Sequence, residues 1–149
     1  MAKPGPRNLI TDVPGLMVGS AEDARAVTGV TVIRPLARAV AGVDVQGGGP
    51  GTRETDALAP ENLVGSVDAI VLAGGSVYGL AAADGVVAAL GARGEGFSLL
   101  AGSSAPPSPV VPAAILYDLA NGGAKDWGES PPYQGLGRAV VIVGGINPE

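Results

Sequence analysis

The stretch "VDAIVLAGGSVYGLAAADGVVAALG" at residues 67–91 constrains the fold more than any other part of this chain. Residues 67–73 are an apolar run broken only by one aspartate, which is typical of a strand buried on both faces. Gly74, Gly75 and Ser76 predict a tight turn. Residues 77–90 then carry apolar residues or alanines on nearly all sides, which predicts a buried helix. A strand, a tight turn and a buried helix in succession indicate an α/β fold.

The chemistry of this turn has two interpretations. It is not the G-x-S-x-G nucleophile elbow, because Tyr78 stands where the elbow needs glycine and the chain has no histidine. It is not a dinucleotide fingerprint either, because Ser76 stands where G-x-G-x-x-G needs glycine. In the first interpretation the glycines let the helix approach the strand and Ser76 caps the helix. In the second, backbone N–H groups of Gly74, Gly75 and Ser76 bind a substrate anion or oxyanion, with the Tyr78 hydroxyl as an added donor.

Composition narrows the chemistry further. With no cysteine and no histidine among its 149 residues, the chain lacks Ser-His and Cys-His catalytic pairs and the usual ligands of zinc. Carboxylates, hydroxyls, lysine and backbone groups remain, and no carboxylate pair has a spacing specific to a metal site, so we expect no metal. The net charge of −5 argues against nucleic acid or an anionic membrane as a partner.

Length and the first residues set further expectations. A chain of 149 residues has the size of one domain, so we expect residues 1–149 to form a single domain. The polar start "MAKPGPRNLITDVPG" has no signal peptide, which favours the cytoplasm. The apolar stretch 69–90 does not predict a membrane span, because glycines interrupt it and Asp84 lies inside it.

Outside residues 67–91 the patterns are shorter. Residues 29–34 are β-branched and residues 39–45 alternate, which predicts a hairpin. In the glycine loop "QGGGPGTRETDAL", Thr52 is expected to cap a short helix with an acidic first turn. The proline-rich residues 103–112 predict a loop or an edge strand. The remaining segments predict a strand at 113–119, a long loop at 120–133, and a helix or a strand at 134–145.

Six segments, in order along the chain, resemble one family. They are "TDVPGLMVG", "GVTVI", "VDVQGGGPGTRETDAL", "AIVLAGGSVYGLAAADGVVAAL", "PVVPAAILYDLANGGAKDWG" and "PPYQGLGRA". Their order and spacing are similar to those of the L-aminopeptidase/D-esterase peptidase family, which also contains β-peptidyl aminopeptidases and the nylon-oligomer (aminohexanoate-oligomer) hydrolases. The resemblance covers nearly the whole chain up to residue 139.

The resemblance implies an α/β fold of αββα layers like that of the N-terminal-nucleophile hydrolases, of which this chain would be an incomplete, N-terminal part. Family members are made as one precursor that cleaves itself ahead of a Ser or Thr, which becomes the N-terminal nucleophile of a second chain. Its own α-amine, with a reference pKa of roughly 7.7–8.0, serves as the base, and no cofactor takes part. The resemblance also places Tyr78 in the active site, where it helps to hold the oxyanion.

One position departs from part of the family. In the nylon-oligomer hydrolases a lysine near the region matching "PPYQGLG" contributes to the site. This chain has Gln134 there, and Lys125 lies in the neighbouring motif. The resemblance therefore carries no lysine role over to this chain.

Two functions of different classes are compatible with the sequence. The first is the N-terminal portion of a self-processing amidohydrolase or aminopeptidase acting on small peptide, amide or ester substrates. Its nucleophile would lie on a segment absent here, because "VVIVGGINPE" follows the last matching motif. The second is a catalytically inactive truncated fragment that self-associates or binds a small anion through its two glycine loops. A nucleotide-binding domain is a third alternative. The family and the apolar C-terminal run both favour a homo-oligomer.

Overall fold

Five β-strands and two α-helices make up the fold in the computed structural model, which describes residues 3–142. In chain order they are β1 (Leu16–Asp23), β2 (Thr28–Pro35), β3 (Thr52–Arg53), β4 (Ile70–Ala73), α1 (Ala82–Gly91), β5 (Ala113–Ile115) and α2 (Tyr133–Ile142). Short 3-10 helices lie at Ile10–Asp12, Thr55–Leu58 and Ser76–Ala81. This mixture confirms the predicted α/β class. No helix in the described range is long and apolar enough to cross a membrane.

The five strands form one mixed sheet in the order β1-β2-β4-β5-β3. β2 pairs antiparallel with both β1 and β4, and β3 pairs antiparallel with β5. β4 and β5 run parallel, with Ala73 opposite Ile115 at their carboxyl ends. Parallel neighbours need a crossover connection, and α1 lies within it. The carboxyl ends of β4 and β5 therefore lie side by side, at the edge where the Gly-Gly-Ser turn begins.

One face of the sheet is buried against α1 and α2. Val30 and Val32 in β2, and Val71 and Ala73 in β4, are at most 5% exposed and belong to one core cluster with residues of both helices. Leu72 points to the opposite face, because successive strand residues alternate, and it is 45% exposed. The prediction that this strand is buried on both faces is therefore wrong, since both helices pack on the same side.

The two α-helices pack with their backbones in contact. A Cβ at Gly137 of α2 would lie 2.9 Å from the carbonyl carbon of Ala82 and closer still to its oxygen. A Cβ at Gly85 of α1 would lie 2.7 Å from the backbone nitrogen of Arg138. Each glycine therefore makes room for the partner helix. This approach holds Tyr133, the first residue of α2, fully buried in the core.

The predicted hairpin between residues 29–34 and 39–45 is wrong. β2 pairs instead with β1 over eight residues, and residues 40–46 form no strand. Ala39 makes only an isolated bridge with Val67. The sequence of β1, "LMVGSAED", mixes polar and acidic residues among few apolar ones. Its pairing is therefore decided by its apolar neighbour β2 rather than by a pattern of its own.

Thr52 does not cap a helix, contrary to the prediction. It pairs with Ala114 as part of β3, and the 3-10 helix at Thr55–Leu58 follows Glu54, whose backbone is left-handed with a φ of 58°. The carboxylate of Glu54 accepts a hydrogen bond from the N–H of Val111 at 3.1 Å. A long-range contact holds this corner of the chain, where the sequence pattern suggested a local cap.

The other predicted elements agree in outline. The helix predicted at 77–90 begins as a 3-10 helix and continues as α1. Residues 103–112 form a loop with isolated bridging, as predicted, and the strand predicted at 113–119 is confirmed only over the three residues of β5. Of the two options for 134–145, the helix is confirmed as far as α2 extends. The apolar run expected to promote association is residues 139–146. Its first half ends α2, where Val140 and Val141 are buried in the core, and its second half lies outside the described residues.

Candidate active site

The turn after β4 is built by close approach to buried neighbours. Gly75 and Ser76 are both left-handed, with φ values of 85° and 52°. A Cβ at Gly74 would lie 2.8 Å from the carboxyl carbon of Asp118, and a Cβ at Gly75 would overlap the ring of Tyr133. Only glycine fits at either position without displacing these groups. The glycines therefore make room for the side chains of Asp118 and Tyr133, whereas the first interpretation had them make room for the helix that follows the strand.

The backbone N–H groups of this turn all donate within the protein. The N–H of Gly74 donates to the carbonyl of Gly29 at 3.0 Å, and that of Ser76 donates to the carbonyl of Leu116 at 3.0 Å. The N–H of Gly75 donates to Oδ1 of Asp118 at 2.6 Å. A substrate anion would therefore compete with existing bonds at all three positions.

Ser76 does not cap the helix that follows it. The 3-10 helix at Ser76–Ala81 has Gly75 at its N-cap, and no side chain caps it. The Ser76 side chain is partly exposed and its hydroxyl has no hydrogen-bond partner within residues 3–142. The predicted capping role is therefore wrong, because the left-handed backbone at Ser76 continues the turn and places this residue inside the helix rather than before it.

Tyr78 stands on this 3-10 helix with its side chain half exposed. Its N–H donates to the carbonyl of Gly75 at 3.1 Å, which ties it to the turn. Its ring meets Trp127 edge to face, with centroids 5.8 Å apart and planes at 69°. Tyr78 is 46% exposed, and its hydroxyl has no partner among the described residues. The ring is therefore held by packing, while the hydroxyl is left without a bond inside the described part of the chain.

A partly buried polar network lies beneath the turn, and the sequence patterns did not indicate it. The Tyr133 hydroxyl donates to Oγ1 of Thr28 at 3.2 Å, and Thr28 donates to Oδ2 of Asp118 at 2.6 Å. Asp118 thus accepts from Thr28 through one oxygen and from the Gly75 N–H through the other. Tyr133 also meets Trp127 edge to face at 5.8 Å, so it links the network to the ring that supports Tyr78.

The protonation state of Tyr133 decides which group donates in each hydrogen bond of this network. Burial raises the pKa of the Tyr133 hydroxyl above its usual range, and the negative charges of Asp118 and Asp23 raise that pKa further. The phenol is therefore neutral at physiological pH and acts as a donor. Because Thr28 accepts the hydrogen bond from Tyr133, its own hydroxyl donates to the Asp118 carboxylate.

Lys125 is bonded within its own part of the chain, and Gln134 lies exposed on α2. The ammonium of Lys125 donates to the carbonyls of Ala26 and Gly122, the latter at 2.8 Å, and to Oδ1 of Asn121 at 3.0 Å. These bonds hold the loop after β5 against the turn between β1 and β2. Gln134 lies exposed in the first turn of α2. Within the described part of the chain, Lys125 therefore joins these two segments.

Arg53 joins the second glycine loop to α1. One of its guanidinium nitrogens lies 2.7 Å from Oδ1 of Asp84 and 3.4 Å from the carbonyl oxygen of Leu80. Both charged side chains remain partly exposed, so this pair orients the loop more than it stabilises the fold.

Across residues 3–142, no three carboxylates lie together in a way that could hold a metal ion.

Comparison with known families identifies the chain. The model of peptidase family S58 matches residues 8–144, nearly the whole sequence. The chain belongs to peptidase family S58. This match confirms the resemblance seen in the six sequence motifs, and it includes the turn after β4, Tyr78 and the network beneath them.

Relatives of the S58 chain carry two kinds of name. An uncharacterized aminopeptidase of Mycobacterium tuberculosis (strain ATCC 25618 / H37Rv) is 47% identical over 148 residues, which cover 94% of this chain and 41% of that protein. An uncharacterized aminopeptidase of Mycobacterium leprae (strain TN) is 46% identical over 125 residues, covering 78% and 33%. A 6-aminohexanoate-oligomer endohydrolase of Kocuria sp. (strain KY2) is 36% identical over 143 residues, covering 92% and 34%. The chain therefore spans about two fifths or less of the length of these relatives.

Proposed function

We propose that this S58 chain is the N-terminal portion of a self-processing hydrolase that cleaves peptide or amide bonds. Family membership and the names of the relatives support the reaction class. The nucleophile is a Ser or Thr at the N-terminus of a segment outside this sequence. The chain itself supplies Tyr78 and one wall of the substrate site. It has no histidine, which agrees with a mechanism whose base is an α-amine.

The single observation that carries the role of Tyr78 is a half-exposed side chain whose ring packs on Trp127 and whose hydroxyl has no partner among the described residues. When the nucleophile attacks the scissile carbonyl, its α-amine takes the hydroxyl proton and the carbonyl oxygen becomes negatively charged. The N–H groups of the nearby turn are already bonded, so the charge must be met by another donor. The Tyr78 hydroxyl serves as that donor, and the α-ammonium then protonates the leaving amine.

The open face of the sheet supports the αββα arrangement. Leu72 and Leu116 are 45% and 60% exposed, and they line a shallow groove of about 310 Å³ that reaches Gly74. Helices cover the other face of this sheet. A second sheet from the remainder of the hydrolase would bury this groove and bring its nucleophile to the edge where the turn lies.

A pair of tyrosine variants tests the proposal in the full-length gene product that contains this sequence. Tyr78→Phe is expected to lower kcat by about 10- to 1,000-fold on aminoacyl anilides or 6-aminohexanoate oligomers, the range for loss of an oxyanion donor. Tyr117→Phe is the matched control, because it removes a phenol hydroxyl from a side chain that is 69% exposed. Unchanged kcat in Tyr78→Phe, or no hydrolysis of either substrate class by the wild type, would refute the proposal.

One observation favours the second function, an inactive fragment that self-associates. The exposed apolar face around Leu72 is a surface that another copy of the chain would cover. The engaged amides of the turn count against the anion-binding version of this alternative. Two measurements separate the two functions: sedimentation of the 149-residue chain and a hydrolysis assay of the full-length product. If the chain is a folded oligomer and the full-length product is inactive, the fragment is favoured.

A further inference from the structure

Asp118 bonds the turn that carries Tyr78 with one carboxylate oxygen and Thr28, the first residue of β2, with the other. Its Oδ1 accepts from the N–H of Gly75 at 2.6 Å, and its Oδ2 accepts from Thr28 at 2.6 Å. Thr28 in turn is bonded to the buried Tyr133. A short bond to a carboxylate is stronger than one between neutral groups, so the Gly75 amide is firmly placed.

This turn needs such a restraint because of its backbone. Gly75 and the non-glycine Ser76 are left-handed in succession. A left-handed non-glycine residue is unfavourable and persists only where its surroundings hold it. The carbonyl of Gly75 then accepts the N–H of Tyr78, so the geometry of Gly75 is passed on to the 3-10 helix. A change in the Gly75 peptide would move the base of the Tyr78 side chain.

The ring of Tyr78 is held by aromatic contacts that lead through Trp127 to Tyr133. Trp127 meets both Tyr78 and Tyr133 edge to face, at 5.8 Å in each case. The Tyr133 ring also lies directly against Gly75, where no Cβ would fit. The backbone of Tyr78 is thus set by Asp118 and its ring by Trp127, and Tyr133 supports both.

We propose that Asp118 is a positioning residue for Tyr78, acting through the Gly75 amide to place the tyrosine hydroxyl for the oxyanion. This inference rests on the proposed function, because it assigns Asp118 to the same reaction. Asp118 itself does not touch the substrate. Its removal leaves the Tyr78 hydroxyl present but displaced, and a misplacement of about 1 Å at a reacting centre costs about 100-fold.

The test is a double-mutant cycle in the full-length gene product. Asp118→Ala is expected to lower kcat by about 10- to 100-fold with KM nearly unchanged, because the affected bond forms in the transition state. In the Tyr78→Phe background the same change should have little further effect, since the donor it positions is gone. Asp118→Asn should recover much of the lost kcat, because its amide oxygen can still accept from Gly75.

Hydrogen exchange of the segment 74–81 provides a readout that does not depend on activity. Asp118→Ala should speed exchange in this segment, because the Gly75 amide loses its acceptor. The matched control is Asp126→Ala, eight residues further on. Asp126 forms an exposed ion pair with Arg25, in which both side chains are about 70% exposed, and it does not bond the turn. Its loss should leave both kcat and exchange at 74–81 unchanged.

Each outcome decides between the two proposals. If Tyr78→Phe lowers kcat but Asp118→Ala has an equal effect in both backgrounds, Asp118 does not act through Tyr78 and the inference is wrong. If exchange at 74–81 is unchanged in Asp118→Ala, the positioning bond is absent and the inference is also wrong. If Tyr78→Phe leaves kcat unchanged, the proposed function loses its donor, and the inference that Asp118 positions this donor fails with it.

Discussion

The contact between α1 and α2 allows a prediction in which two similar changes have opposite effects. Gly137 faces α1, and a Cβ there would lie 2.9 Å from the carbonyl carbon of Ala82 and 3.1 Å from its Cα. Gly135, two residues earlier in the same helix, is exposed, and nothing lies within 4 Å of a Cβ built on it. Alanine has a higher helix propensity than glycine, so at either position it stabilises the helix by up to about 1 kcal/mol. Only Gly137→Ala must also separate the helices.

The magnitude follows from the difference between the two variants. The helix-propensity gain is similar at both positions, so it cancels, and the packing cost at Gly137 remains. Forcing a methyl group into a filled contact costs about 1–3 kcal/mol, and the obstacle here is backbone, which cannot rotate away. Gly135→Ala should therefore be as stable as the wild type or more so, and Gly137→Ala less stable than Gly135→Ala by this amount. For a chain of this size the difference corresponds to about 2–12 °C in Tm.

Thermal and urea unfolding followed by far-UV circular dichroism measure this difference directly. Gly85→Ala offers an internal check, because it pushes against the same helix pair from the other side. Once one alanine has separated the helices, the second should cost less, so the double variant Gly85→Ala/Gly137→Ala should be less destabilised than the sum of the single changes. Equal stability of Gly135→Ala and Gly137→Ala would refute the packing argument.

Three further predictions concern the buried groups. The wild-type protein should lose stability as the pH rises above about 10, because the phenol of Tyr133 has a higher pKa in the folded than in the unfolded state, so that the unfolded state ionises first. Tyr133→Phe should lose less stability over the same pH range, and an equally steep loss in both proteins would contradict this. Asp68→Ala should cost about 1–3 kcal/mol in urea unfolding, because its carboxylate accepts the buried Val110 N–H at 2.8 Å. Gly75→Ala should lose more stability than Gly47→Ala, which is also left-handed but meets nothing within 4 Å; equal losses would count against Tyr133 as the obstacle.

The fold was predictable where the pattern is local. Residues 67–91 form a strand, a turn and a helix, as the apolar run and the glycines indicate. The pairing of β2 was not predictable from sequence spacing, because a near neighbour, residues 39–45, looked like a better strand than β1. Burial on the helix side of β2 and β4 decides that order, and this burial depends on α2, which lies about a hundred residues further along the chain.

The candidate site also contains residues that local sequence patterns could predict and residues that they could not. The Gly-Gly-Ser turn and Tyr78 lie within five residues, and motif resemblance was enough to select them. Asp118 and Thr28 lie 43 and 90 positions from their partners in the network, so no local pattern joins them. One signal was present: a carboxylate soon after the end of a strand is well placed if that strand runs parallel to its neighbour. Using it required the knowledge that β4 and β5 are adjacent.

The turn after β4 illustrates why a glycine-rich sequence does not by itself indicate an anion site. Gly74 and Gly75 direct their N–H groups to acceptors inside the protein. In the proposed function, the turn offers a substrate the side chain of Tyr78 instead. Substitutions of the glycines should therefore lower stability and turnover together, because they move the platform. Tyr78→Phe should lower turnover alone, because the ring and its contact with Trp127 remain, and a stability measurement separates these two classes of variant.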